Sequence, residues 1–219
     1  MLALRSSVAT LTLLVGVAAC APDRLTSVDP VPSIPAATEA PSTASALLAP
    51  NFLRPAANAP TIANPVVRFW AKRGVATTAE MFYHRVAGRR DSTVFFSLRF
   101  KGRTLARRPD GTAFGDRDSV LVTLTLVDAR RGIVDCQPSG LRFAADAPAR
   151  LRINFTEADD DLNGDGRVNA TDALLTRALS VWRRESAAAP WTRVASRVDV
   201  GAHEVEAEIN GFTGYAIAW

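Results

Sequence analysis

The sequence predicts an all-β protein: an antiparallel β-sandwich of about nine strands, with one short helix carried on an inserted loop. Three observations carry this. Short apolar runs from Val66 onward repeat with a period of two, the pattern of strands with one buried face. Turn-forming clusters such as Gly88-Arg89-Arg90-Asp91, Pro109-Asp110-Gly111 and Gly201-Ala202-His203 separate the runs. Only one stretch, Ala170 to Leu179, has helical spacing, with Ala173, Leu174, Leu175 and Ala178 as its expected apolar stripe.

The strands are expected at Val66–Ala71, Glu80–Ala87, Val94–Phe100, Ser119–Val127, Arg150–Phe155, Leu179–Arg184, Trp191–Val198, Glu204–Ile209 and Thr213–Ala218. In each of the clearest cases the two faces separate cleanly. Val94, Phe96, Leu98 and Phe100 share a face, as do Val120, Val122, Leu124 and Leu126. Leu151, Ile153 and Phe155 point inward against Arg150, Arg152 and Asn154, and Val205, Ala207 and Ile209 against Glu204, Glu206 and Glu208. With 219 residues, 47% apolar and 22% charged, the chain is large enough for one good core.

Phe155 and Leu179 would be neighbouring strand ends joined by a short hairpin, but an acidic segment separates them. Residues 157–178 therefore read as an insertion. Within it, Asp161-Leu-Asn-Gly-Asp-Gly-Arg-Val-Asn-Ala-Thr-Asp172 has a spacing that dictates a chemistry. Ca²⁺ takes about six to eight hard oxygens at roughly 2.3–2.6 Å, and a short loop wraps one ion only if its sixth position turns sharply. Asp161, Asn163 and Asp165 occupy positions one, three and five, and Gly166 supplies the turn at six. The carbonyl of Arg167 follows at seven, with Asn169 at nine and Asp172 at twelve. Val168 is expected to pack inward behind the loop. Glu157, Asp159 and Asp160 add to the negative charge, so the predicted cofactor is Ca²⁺.

The N-terminal region is different in kind. Residues 1–19 carry one Arg5 and an apolar run from Val8 to Ala19, too short for a permanent membrane span and right for a signal peptide. Val17-Ala18-Ala19-Cys20 resembles the lipobox of bacterial lipoproteins. That resemblance implies lipidation of Cys20, a membrane anchor, and, with Ala21 following, residence in the outer membrane. Residues 20–65 hold nine of the thirteen prolines and are rich in Ala, Ser and Thr, so they are expected to form an extended tether reaching up to ~140 Å. The sandwich is then expected over 66–219. Removing Arg5 leaves 25 basic against 22 acidic residues, and only Lys72 and Lys101 among the basic ones are lysine.

Two further resemblances bear on the folded part. Asp161–Ser180 is similar to the calcium loop of a dockerin repeat, D-x-N-x-D-G-x-V-N-x-x-D followed by an apolar helix; dockerins carry two such repeats and this chain one, so cohesin docking is not implied. Gln137–Trp219, outside the insertion, resembles the ZU-type β-sandwich of ankyrins and netrin receptors. The matching residues are Pro138-Ser-Gly-Leu-Arg-Phe143, the tryptophans Trp182 and Trp191, and Gly211-Phe-Thr-Gly-Tyr215. Some relatives cleave themselves at a His-Phe-Ser or His-Leu-Thr site. Phe212 and Thr213 match, but Gly211 stands where the base would be, and a hydroxyl without a base is a weak nucleophile.

The remaining candidates read as structural. Cys136 has no nearby His and no cysteine partner once Cys20 is lipidated, so it is expected to be a buried small side chain. His84 and His203 lack metal spacing and are expected on strand surfaces. Arg85, Arg89, Arg90, Arg99, Lys101, Arg103, Arg107 and Arg108 are set against Asp91 alone. They are expected as solvated hairpin ends, the alternative being a patch for an anionic polymer. No phosphate loop, catalytic triad or paired catalytic carboxylates occur, so the chain is expected to be non-enzymatic and not to bind nucleic acid. The expected partners are the membrane and an envelope protein or polysaccharide. A carbohydrate- or cell-wall-binding module with hydrolytic activity, using Trp70, Trp182, Trp191 and Trp219 for stacking, is the alternative.

Overall fold

A computed structural model describes residues 49–85, 87–88 and 93–219; the expected signal peptide, Cys20, most of the proline-rich segment and the trio Arg89, Arg90 and Asp91 lie outside these. The described chain is an antiparallel sandwich of thirteen strands and one helix. Their order is β1 (Val66–Lys72), β2 (Thr77–Phe82), β3 (Val94–Phe100), β4 (Leu105–Arg107), β5 (Ser119–Asp128), β6 (Ile133–Gln137), β7 (Arg142–Phe143), β8 (Ala149–Asn154), α1 (Ala170–Ala178), β9 (Ser180–Arg184), β10 (Thr192–Arg193), β11 (Ser196–Asp199), β12 (Glu204–Ile209) and β13 (Gly214–Ala218).

One sheet runs β1-β5-β6-β13-β9-β10, the facing sheet β11-β12-β8-β3-β2, and β4 pairs with β7 in a small ribbon. The predicted inward faces meet in the core, where Phe96, Leu98, Val122, Leu124, Leu151 and Val205 are fully buried. Burial of this apolar surface, at about 25 cal/mol per Å², is the main force holding the sandwich. Phe100, Phe143 and Phe212 pack edge to face with centroids 5.2–6.0 Å apart, tying β3 and the loop before β13 to the β4–β7 ribbon. The outer face of the second sheet is an ordered ladder of charge. One row crosses four strand pairs as Arg197, Glu206, Arg152, Ser97 and Glu80, with Arg152–Glu204 at 3.3 Å and Arg150–Glu206 at 3.4 Å.

Four expectations are corrected. The strand count rises from about nine because β4, β6 and β7 are short and lack long apolar alternation. β6 is nonetheless central, with Val134 and Cys136 fully buried and Asp135 and Gln137 facing out. The single strand expected over Trp191–Val198 is two strands in different sheets. Ser196 makes that corner possible: its hydroxyl accepts the Val181 N–H at 2.9 Å and donates to the Val194 carbonyl at 2.8 Å, replacing ladder partners as the chain switches sheets. His203 lies in a turn at φ 53°, not on a strand, with its ring edge-on to Phe155.

The fourth correction concerns the tether. Residues 49–65 are not free chain but a strap across one end of the sandwich. Asn51 and Trp219 exchange backbone hydrogen bonds at 3.2 Å, and the Leu53 N–H donates to the Ile217 carbonyl, so the strap first extends the sheet beside β13. It then crosses to the other sheet, where the Ala63 N–H donates to Phe82 at 2.8 Å and Ile62 bridges to Tyr83. Proline counting hides this: Pro50, Pro55, Pro60 and Pro65 are spaced so that Asn51, Leu53, Ala56 and Ala63 keep their N–H groups for pairing. Leu53 and Ile62 pack against the core.

Candidate metal centre

The insertion leaves β8 and returns at β9. Its base is pinned to the strap by the Ala56 N–H donating to the Glu157 carbonyl and the Asp159 N–H donating to the Arg54 carbonyl, each at 2.9 Å. Leu162 is then driven into the core at 7% exposure, anchoring the acidic loop from below. Sequence reasoning missed both fixtures. Leu162 is a lone apolar residue among acids, and nothing local links Arg54 to a loop more than a hundred positions away.

Asp161 organises the loop. Its Oδ1 accepts the N–H groups of Gly164 (2.8 Å) and Asp165 (3.1 Å), and its Oδ2 accepts that of Gly166 (2.7 Å). The chain can curl round one carboxylate in this way because Gly164 and Gly166 adopt φ of 74° and 81°, where a side chain is strained. Asn163 Oδ1 accepts from the Asp165 N–H and Asp165 Oδ1 from the Arg167 N–H, both at 2.9 Å. The Oδ2 of Asp165 receives the side-chain amides of Asn163 (3.1 Å) and Asn169 (3.5 Å), and the Asn169 amide also reaches the Arg167 carbonyl at 3.4 Å. The groups at positions three, five, seven and nine thus converge, and they are exposed.

Asp172 does something else. It is 2% exposed, and its Oδ1 accepts the N–H groups of Leu162 (2.9 Å) and Asn163 (3.3 Å) while its Oδ2 accepts that of Asn169 (2.9 Å). These bonds, the one from Asn169 foremost, hold its carboxyl below the usual carboxylate range. Asn169 caps α1 by accepting the Thr171 N–H at 2.7 Å, so Asn169 and Asp172 form a reciprocal capping box. One residue closes the loop and starts the helix.

The helix does not bury its expected stripe. Ala173, Leu174 and Ala178 are exposed, Leu174 at 65%, and only Leu175 packs partly on the core. Val168 is 69% exposed instead of turning inward.

Among the described residues no three His, Cys, Asp or Glu side chains cluster as a ready metal site. The side chains of Asp161, Asn163, Asp165, Asn169 and Asp172 and the Arg167 carbonyl nonetheless offer only hard oxygen donors, the type that Ca²⁺ takes.

The other candidates are dispersed. The Trp182 indole N–H donates to the Ala218 carbonyl at 3.1 Å, and Trp191 is held edge-on to Phe52 with the Arg184 guanidinium 4.8 Å from its ring, so neither is a free stacking surface. Trp70, by contrast, is 65% exposed on β1, beside Leu121 of β5. Arg99 lies on the charged sheet face, Arg103 pairs with Asp146 at 3.6 Å and Arg108 with Asp118 at 3.0 Å. Cys136 is fully buried and its thiol pKa is pushed up by that burial. An ideal Cβ on Gly211 would sit 2.8 Å from the Leu141 carbonyl, so no base fits there, and the Thr213 hydroxyl donates to the Arg184 carbonyl. No described helix is long and apolar enough to cross a membrane.

The fold and loop together define an antiparallel β-sandwich with an acidic, cap-closed insertion. Compared with protein-family models, curated proteins and solved structures, the chain matches none.

Proposed function

We propose that this is an exported, lipid-anchored, non-enzymatic protein of the cell envelope whose β-sandwich binds one Ca²⁺ in the 161–172 loop and serves as an interaction or structural module. The observation that carries the calcium reading is the convergence of Asn163, Asp165, Asn169 and the Arg167 carbonyl beside an Asp161 wrapped by backbone N–H groups. Ca²⁺ would be held by Asp161, Asn163, Asp165, Asn169 and the Arg167 carbonyl, with Asp172 closing the loop, and it supplies two positive charges to a segment rich in carboxylates. The dockerin-like spacing supports the same ion, and the ZU-type likeness of Gln137–Trp219 supports a module that holds a partner without chemistry. The Val17–Cys20 lipobox supports the anchor. Because Glu157 and Asp159 bond the strap, an ordered insertion also steadies the segment through which the sandwich joins the anchor.

A lone loop outside the cytosol is expected to bind in roughly the 10⁻⁵ to 10⁻³ M range. Calorimetric melting of the full chain with and without Ca²⁺ tests it: the ion should raise the melting temperature, and no shift at millimolar Ca²⁺ would refute the assignment. Cys20→Ser should release the protein from membranes; wild type found wholly in the soluble periplasm would refute the anchor.

A second reading, a carbohydrate- or cell-wall-binding module, is favoured by the exposed ring of Trp70 beside Leu121 on the outer face of β1 and β5. Glycan binding that disappears on Trp70→Ala would select it, and binding that survives would dismiss that ring as the platform.

A further inference from the structure

Beneath the strap, between the ends of the two sheets, lies a cavity of about 180 Å³. Its walls are mainly apolar and come from both sheets and the strap, including Leu53, Ile62, Phe95, Phe155 and Ile217. A dry apolar cavity of ~150 Å³ holds a benzene ring, so this space takes a guest of about that size or slightly larger. The roof is the turn of the strap, closed on itself by the Ala59 N–H donating to the Ala56 carbonyl at 3.0 Å.

One side of the cavity is polar. Tyr83, 8% exposed with its ring edge-on to Phe95 at 5.5 Å, and Glu157, at the base of the insertion, line it together with Arg54, Thr61, Arg131 and Asn154. Burial, and then the Glu157 charge, push the Tyr83 hydroxyl far above its ordinary value, so it remains a protonated donor at any physiological pH. The pocket is partly open to solvent, and an apolar body with the Tyr83 hydroxyl on its polar side is complementary to a small apolar molecule that carries one polar group.

We propose that the cavity under the strap is a binding site for a small, mostly apolar molecule bearing one hydroxyl, of the size of a substituted phenol, which lies among Leu53, Phe95, Phe155 and Ile217 and hydrogen-bonds at Tyr83. None of the residues that would hold the ion lines the cavity.

Titrating the full chain with p-cresol and, separately, toluene, by ligand-observed NMR and calorimetry, tests the site. Both should bind one to one at millimolar concentrations or below, p-cresol the tighter. Tyr83→Phe should weaken p-cresol by about five- to tenfold and leave toluene unchanged. Ala158→Leu and Ala56→Leu place extra atoms in the space and should each abolish binding of both probes; should one of them fail to fold, the other decides. Binding of neither probe to the wild type overturns the proposal. So does binding that persists in a folded filling variant, which would place the probe elsewhere. Equal loss of both probes in Tyr83→Phe would overturn the role of the hydroxyl.

Discussion

The sandwich and its insertion are built by opposite means. In the sandwich, facing apolar rows exclude water, and polar groups are left to the outer faces, as with the Arg152–Glu204 and Arg150–Glu206 ladder. In residues 157–178 the apolar contribution shrinks to Ala158, Leu162 and Leu175, while Val168 and Leu174 stand in solvent. Shape there comes from carboxylates gripping backbone N–H groups, three by Asp161 and three by Asp172. A segment too small to bury its own core can be ordered by charge-assisted hydrogen bonds and, on our reading, by an ion. The two regions should therefore respond to different perturbations.

The largest effect is expected in the sandwich. Leu151 is fully buried at the centre of β8, and Leu151→Ala should destabilise the whole domain by about 2–5 kcal/mol in denaturant titration, with or without Ca²⁺. A calcium-dependent loss would show that the two regions are not separable. Next comes the ion: Ca²⁺ at about a hundred times its dissociation constant should stabilise by about 2.7 kcal/mol. Asp161→Ala combined with Asp165→Ala should remove that gain and leave the circular dichroism of the sandwich intact. A double variant that cannot fold would contradict the contrast drawn here.

Acid should act on the insertion through Asp172. Its folded pKa is depressed, so its contribution is present above the ordinary carboxylate range and is lost as pH falls through the folded value. Asp172→Asn should melt below wild type near neutral pH, with the gap closing once acid protonates the wild-type carboxylate; a gap constant down to strongly acid pH would assign the effect to side-chain shape. Limited proteolysis should meanwhile trim the chain to a product starting near residue 49, since the strap is hydrogen-bonded to both sheets. A product starting near Val66 would mean the strap detaches in solution. The smallest effect is on the outer ladder, where a double-mutant cycle on Arg152 and Glu204, both partly exposed, should give a coupling within about 1 kcal/mol.

The sequence by itself determined the all-β class, the inward faces of the long strands, the position of the insertion and the residues of its loop. Those features are periodic or local: a two-residue alternation states which face is buried, and a ligand spacing needs only its own twelve residues. It also determined the place of helix α1, because the apolar spacing of Ala170 to Leu179 is local, whereas the capping box of Asn169 and Asp172 that starts it came from the structure. Only the tertiary structure decided that Ser196 turns one predicted strand into two, that residues 49–65 close the end of the sandwich, and that Val168 and Leu174 remain exposed. It alone brought Tyr83 and Glu157 to one cavity. Each of these depends on which distant backbone edges and apolar faces are left free once the sheets assemble. That is a property of the packed arrangement, and no local pattern of residues encodes it.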